Sequence, residues 1–300
     1  DSSVGFMLDF RLVSFAILFL TACGGGSGDN SAGAVVQSPA SPTTTTYSTV
    51  KSNTVDATFN ANGSVSGMSA VTVSNTSISV VTNSSNVVTS LTLTNNSGTT
   101  TFSTANGDTI DALTYYGLTI YNAYNASTSK QSLILADTTN NFGFGTWYEK
   151  SGNTGYVTTF HAGTNPTTVD PASVVNSATY NGTSAGMLAE NGYNAIYTFA
   201  DIVATANFNT KSISLSAANT KGYTISGGDL GFYASQNFST TLSDGNSDNN
   251  YEGSTTDSEG KTGNVSATLY GSNAEAIAGV GTLANGSNSR VHTFAFGATR

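Results

Sequence analysis

The chain is 300 residues long and carries 18 Asp and Glu against 9 Lys and Arg, a net charge of −9. So few cations argue against nucleic acid as a partner, since phosphates need cationic contacts, and against adhesion to anionic lipid through a basic patch. Only 9% of residues are charged, against about a quarter in ordinary globular chains, and the 14 Tyr and 15 Phe are out of keeping with the low-hydrophobicity, high-charge pattern of disorder. The composition is that of an extracellular β-protein with neutral polar outer faces.

In chain order, Arg11 precedes the apolar run Leu12 to Leu20, which ends in Thr21, Ala22 and the only cysteine, Cys23. A positive residue, a short apolar stretch and a small-residue cleavage site make up a secretory signal. Leu20-Thr21-Ala22-Cys23 resembles a bacterial lipobox. That resemblance implies cleavage before Cys23 and acylation of its thiol, so that residues 1–22 are a signal peptide and Met7 is a more natural start than Asp1. A membrane span needs about 20 apolar residues; this run has about half that, and Gly24, Gly25 and Gly26 end any helix at once. A short core helix and a plain signal peptide are the alternatives. With Cys23 acylated no thiol is left for a disulfide, a Cys metal site or a nucleophile, and two acyl chains suffice for stable attachment to membrane lipid.

Residues 23–46 read as a flexible tether without periodicity, with an end-to-end distance of about 25–30 Å. From Tyr47 onward the apolar residues alternate with period two. Thr54 to Asn60 meets an Asn-Gly turn signal at Asn62-Gly63. Val71 to Val73, Ile78 to Val80 and Val87 to Leu93 are further β-branched runs. Leu113 to Tyr121, Leu133 to Leu135, Phe142 to Tyr148 and Gly155 to Phe160 follow. Gly163 to Val175 holds Pro166 and Pro171 and is the expected connection between a β-rich handle domain, 47–170, and a second domain, 171–300.

In that second domain the expected strands are Ser177 to Met187, Tyr193 to Phe199, Val203 to Phe208, Ile213 to Ala217, Tyr223 to Ser226, Leu230 to Tyr233, Val265 to Tyr270, Ile277 to Leu283 and Val291 to Phe296. Leu242 to Glu259 is polar throughout and is expected to be a long exposed loop. About eight strands with short turns suit an up-and-down barrel, which leaves no open edge. The expected fold class is all-β, an eight-stranded antiparallel β-barrel at the C-terminal end preceded by a smaller β-rich handle. No fixed-period repeat points to a solenoid or propeller.

The stretch from Phe142 to Arg300 resembles the transferrin-binding protein B family of bacterial surface lipoproteins. The resemblance rests on Ala178-Thr179-Tyr180-Asn181-Gly182, on Ala206-Asn207-Phe208-Asn209, on Gly271-Ser272-Asn273-Ala274-Glu275-Ala276-Ile277-Ala278-Gly279 and on the closing Phe296-Gly297-Ala298-Thr299-Arg300. Phe144-Gly145-Thr146-Trp147 and the connection after it look like the single-lobe members, the transferrin-binding-protein-like solute-binding proteins. The resemblance implies an outer-membrane, cell-surface lipoprotein that binds a host or environmental ligand, an iron carrier or haem-type nutrient, for uptake by a partner transporter of the TonB-dependent type. A structural or adhesive surface lipoprotein is the alternative. Asn273 to Ala276 is expected to make one helical turn between two barrel strands.

Candidate chemistry is sparse. His161 and His292 are the only histidines; either could ligate haem iron, though a packed strand histidine is the plainer reading. Tyr115, Tyr116, Tyr121 and Tyr124 form a tyrosine-rich segment, a contact face or simply strand packing. Asp244, Asp248, Glu252, Asp257 and Glu259 crowd the polar insertion without the spacing of a calcium loop, so a solvated acidic loop is expected and no metal. Neither a nucleophile elbow, a zinc-protease helix nor a nucleotide loop occurs, and no enzymatic activity is expected.

Overall fold

The computed structural model describes residues 42–300 apart from 48, 86, 96, 97, 116, 117, 126, 129, 138–141, 169, 174, 226, 247 and 248. Cys23, the signal segment and the tether up to Ser41 lie outside the described residues. The first strand, β1 (Thr43–Tyr47), begins within the segment expected to be tether. It is followed by β2 (Thr49–Phe59), β3 (Val65–Met68), β4 (Thr72–Ser74), β5 (Ser77–Thr82), β6 (Val88–Asn95), β7 (Gly98–Ser103), β8 (Thr109–Tyr115), β9 (Leu118–Asn125), β10 (Lys130–Asp137), β11 (Phe142–Ser151) and β12 (Thr154–Gly163).

These strands make two sheets. A front sheet has the order β1-β5-β6-β7, and a central sheet the order β3-β2-β12-β11-β10-β9-β8, with β4 also on β2. The central sheet is covered on both faces. Trp147, Phe160, Tyr121 and Ile134 pack against Ile78, Leu91, Leu93 and Phe102 of the front sheet. The opposite face, with Phe59, Val157, Phe142 and Phe144, packs against the barrel. Period-two alternation is what lets one strand serve both layers.

The barrel runs through β13 (Ser177–Glu190), β14 (Ile196–Asn207), β15 (Ser212–Thr224), β16 (Asp229–Phe232), β17 (Phe238–Ser243), β18 (Asn250–Asp257), β19 (Thr262–Tyr270), β20 (Ala276–Ala284) and β21 (Arg290–Thr299). All pairings are antiparallel; β13 pairs with β21 and β14 with β15, which closes eight strands, and the short β16 hangs on β15. The all-β class and the eight-stranded barrel agree with the sequence reading.

The strand boundaries differ from it in several places, and β17 lies where no strand was expected. The expected strands Tyr193 to Phe199 and Val203 to Phe208 merge into one, β14, which starts at Ile196 and ends at Asn207, and Ile213 to Ala217 and Tyr223 to Ser226 merge likewise into β15, which ends at Thr224. The polar Asn219-Thr220-Lys221 between the two expected runs is a bulge, with Asn219 at φ +55° bonded through Nδ2 to Asp201 at 2.8 Å. A bulge absorbs an extra residue without ending the ladder. The insertion Leu242 to Glu259 is not a loop, because Asn250–Asp257 is strand β18, with Tyr251, Thr255 and Asp257 turned inward. Finally, the helical turn expected over Asn273 to Ala276 is absent: Gly271 to Ala274 form a turn, with left-handed backbone at Gly271 (φ +87°) and Ala274 (φ +57°), and Ala276 already opens β20.

The barrel interior is apolar through most of its height, with Tyr180, Ile202, Phe208, Leu215, Leu269, Phe294 and Phe296 buried. Gly279 and Gly281 on β20 stand opposite Phe296 and Phe294 on β21. A Cβ at these glycines would lie 2.6 and 2.3 Å from the ring Cζ atoms, so the absent side chains are the space the rings occupy. One end of the interior is polar. Asp257 Oδ1 accepts the backbone N–H groups of Glu259 (3.0 Å) and Lys261 (2.9 Å), and its other oxygen pairs with the buried Lys261 Nζ. Lys261 also bonds Glu259 at 2.7 Å, and Glu259 pairs with Arg290.

Candidate ligand-binding site

The structure separates the residues that the sequence brings to notice. His161, on β12, is wholly buried between the central sheet and the barrel. Its Nδ1 lies 3.2 Å from the Tyr270 hydroxyl, and Nε2 has no partner. His292, on β21, is 4% exposed and faces the barrel interior, with Nε2 at 2.8 Å from Thr198 Oγ1. Burial foremost, then nearby cations, push both imidazoles down to about 3. The cation is Lys51 for His161; for His292 they are Lys261 and Arg290, opposed by Asp257. Both rings are therefore neutral, and neither reaches a surface where a haem would sit.

The tyrosines do not share a face. Tyr121 is buried against the front sheet, and Tyr124, on the other side of β9, is 38% exposed. Tyr116 and the side chain of Tyr115 lie outside the described residues. The acidic residues disperse as well. Asp244 and Asp257 are buried, Glu252 pairs with Lys51 across the handle–barrel boundary, Glu259 pairs with Lys261 and Arg290, and Asp248 lies outside the described residues. Among the described residues no group of three or more His, Cys, Asp or Glu is placed to hold a metal ion.

The Asn-Ala-Glu segment is a clamp. Tyr180 OH donates to the Ala274 carbonyl at 2.7 Å, Thr167 Oγ1 to the Gly271 carbonyl at 2.7 Å and Arg300 Nη2 to the Asn273 carbonyl at 3.0 Å. Although partial burial pushes the other way, hydrogen bonds from Asn273 and the charge of Arg300 hold the Glu275 carboxyl below the usual range. First barrel strand, connection and last strand are thus tied to one turn.

The site that sequence reasoning missed is a cleft of about 610 Å³ on the face of the central sheet beside the front sheet, lined among others by Asp56, Thr58, Met68, Glu149, Thr154 and Tyr156. Strand register builds it. Asp56 on β2 is the direct partner of Tyr156 on β12, and Tyr156 of Glu149 on β11. Glu149 Oε2 accepts from Tyr156 OH at 2.7 Å and from Thr100 Oγ1 of the front sheet at 2.8 Å. The Tyr156 ring is braced edge-on by Trp147, with centroids 5.4 Å apart. Two acids and no base stand in the cleft wall. Asp56 is 93 positions before Glu149 and 100 before Tyr156, so only the register reveals that it adjoins them.

No family model matches the chain, and no curated protein matches it. Solved structures do match in outline. Transferrin binding protein B from Haemophilus parasuis, as a double mutant, is 12% identical, with 88% of this chain and 78% of that chain covered and a TM-score of 0.39. Transferrin binding protein B from serogroup B Neisseria meningitidis is 11% identical over 87% and 77%, with a TM-score of 0.40. The haemoglobin receptor HpuA from Kingella denitrificans is 16% identical over 86% of each chain, with a TM-score of 0.33. At such identities and scores no residue role passes from those proteins to this one.

Proposed function

We propose that the protein is an outer-membrane, surface-exposed lipoprotein, anchored through acylated Cys23, that binds a host or environmental ligand, an iron carrier or haem-type nutrient, for a partner transporter. The observation that carries this reading is a lipobox-like Leu20-Thr21-Ala22-Cys23 ahead of a body with an open cleft of about 610 Å³ lined by groups suited to binding. Gly24 follows the cysteine, with no aspartate there to favour inner-membrane retention. Both histidines are enclosed, which favours a carrier protein over free haem as the ligand. The test uses the whole chain displayed on cells and a secreted Cys23→Ser form. Labelled transferrin, haemoglobin and hemin should include at least one that binds the displaying cells saturably, and Cys23→Ser should release the protein to the medium. Failure of all three iron sources to bind would remove the nutrient reading.

A second reading, an adhesive or masking surface protein, is favoured by one feature. No charged residue occurs between Asp56 and Asp108, and the outer face of the front sheet is a ladder of hydroxyls, with Thr92 to Thr101 at 3.1 Å and Thr94 to Thr99 at 3.0 Å. Cell–cell aggregation by displaying cells, without uptake of any iron source, would decide for it.

A further inference from the structure

We infer that the cleft at Asp56, Tyr156 and Glu149 receives a lysine or arginine side chain of the protein partner. The inference rests on the surface-binding function above and assigns to it a site and a chemistry.

Three features carry it. First, the cleft is open and about 610 Å³ in volume, ample for a long side chain and its flanking backbone. Secondly, its charge is of one sign. Asp56 and Glu149 line it, while Lys130, the cross-strand partner of Glu149 on β10, does not. Lys150, next to Glu149 in sequence, turns to the other side of the sheet, where its Nζ sits 4.9 Å from the Phe59 ring centre. Thirdly, the carboxylates are left with acceptor capacity. Glu149 Oε2 is oriented by Thr100 and Tyr156, which leaves Oε1 for a ligand. Among the described residues no ion pair engages Asp56, and its backbone N–H donates to Ser69 Oγ at 3.0 Å. A carboxylate held by fixed donors on one oxygen keeps its orientation while offering the other, the geometry that makes charge-assisted bonds strong.

The physical balance favours a cation over a neutral glycan. Burial foremost raises the Tyr156 phenol, and the charges of Glu149 and Asp56 add to it, so both carboxylates act on the middle of the cleft. An ammonium or guanidinium there gains from both carboxylates and from the tyrosine ring.

The test is calorimetric titration of the full chain, in its Cys23→Ser form, with a blocked tetra-arginine peptide. Tetra-glutamate and maltotetraose serve as the acidic and neutral probes. Asp56→Asn with Glu149→Gln should weaken tetra-arginine binding about tenfold or more, as expected for removing the charge partners of a partly desolvated cation. Asp111→Asn with Asp229→Asn changes net charge equally at exposed sites elsewhere and should leave binding within about twofold, since exposed charges beyond a Debye length are screened. Equal loss in the two double variants would mean non-specific attraction to an acidic protein and would overturn the inference. Binding of maltotetraose but not tetra-arginine, abolished by the cleft variant, would overturn it in favour of a glycan. An iron carrier held equally by wild type and cleft variant would overturn the cleft while leaving the proposed function standing; no carrier bound by wild type would remove the function itself.

Discussion

At the scale of single residues, the two histidines and Tyr180 show how burial converts suggestive chemistry into structure. His161 and His292 are the residues a search for haem ligands selects first. In the fold each is a neutral ring with one hydrogen bond, shut into a separate compartment. Unfolded, both titrate near 6.5; folded, both are held down to about 3. Between those values the unfolded chain binds more protons, so acid favours unfolding. The stability is fully present above about pH 6.5 and is lost as the pH falls, by up to about 1.4 kcal/mol per pH unit for each histidine. Urea midpoints measured from pH 7 to pH 4 should fall accordingly, and a His161→Gln, His292→Gln double variant should show a flatter profile; an unchanged slope would mean the rings are not the proton acceptors. Tyr180→Phe removes the donor to the buried Ala274 carbonyl and should cost about 1–3 kcal/mol. In a domain of this size each kcal/mol lowers Tm by about 2–4 °C, and a melting curve identical to wild type would show that the clamp does not contribute.

At the scale of elements, alternation told strand from helix correctly and told strand ends poorly. Polar clusters are turn signals only when the ladder ends there. At Asn219 to Lys221 the chain bulges and continues, and in Asn250–Asp257 a strand with one inward aromatic was indistinguishable from a loop. Small inward residues are legible only against the strand that fills their space. Gly281 is the clearest instance, since a Cβ there meets Phe294 Cζ at 2.3 Å. Gly281→Ala should therefore destabilise by about 1–3 kcal/mol, the usual cost of overpacking, seen as a lower urea midpoint at unchanged slope. Retention of the wild-type midpoint would show that the Phe294 ring shifts freely and that β20 was not fitted to it.

At the scale of the whole molecule, the central sheet joins three layers. Its barrel-facing side buries Ala185, Met187, Tyr197, Val280 and Ala295 of the barrel wall, residues that in a free-standing barrel would meet water. Excising Pro171–Arg300 should give a barrel that binds a hydrophobic dye strongly and associates, because contiguous exposed apolar surface does so. A monomeric, dye-silent fragment with the wild-type melting temperature would show that the barrel is independent of the handle. The sequence by itself determined the all-β class and the barrel of about eight strands, and pointed to export, because period-two alternation and signal composition are local properties written into consecutive residues. Tertiary structure decided what each polar residue does. It enclosed the histidines, dispersed the acidic insertion among ion pairs, turned the Asn-Ala-Glu signature into a clamp and set Asp56, Tyr156 and Glu149 side by side. Those outcomes depend on register between strands far apart in the chain, and a shift of one residue would send each side chain to the opposite face.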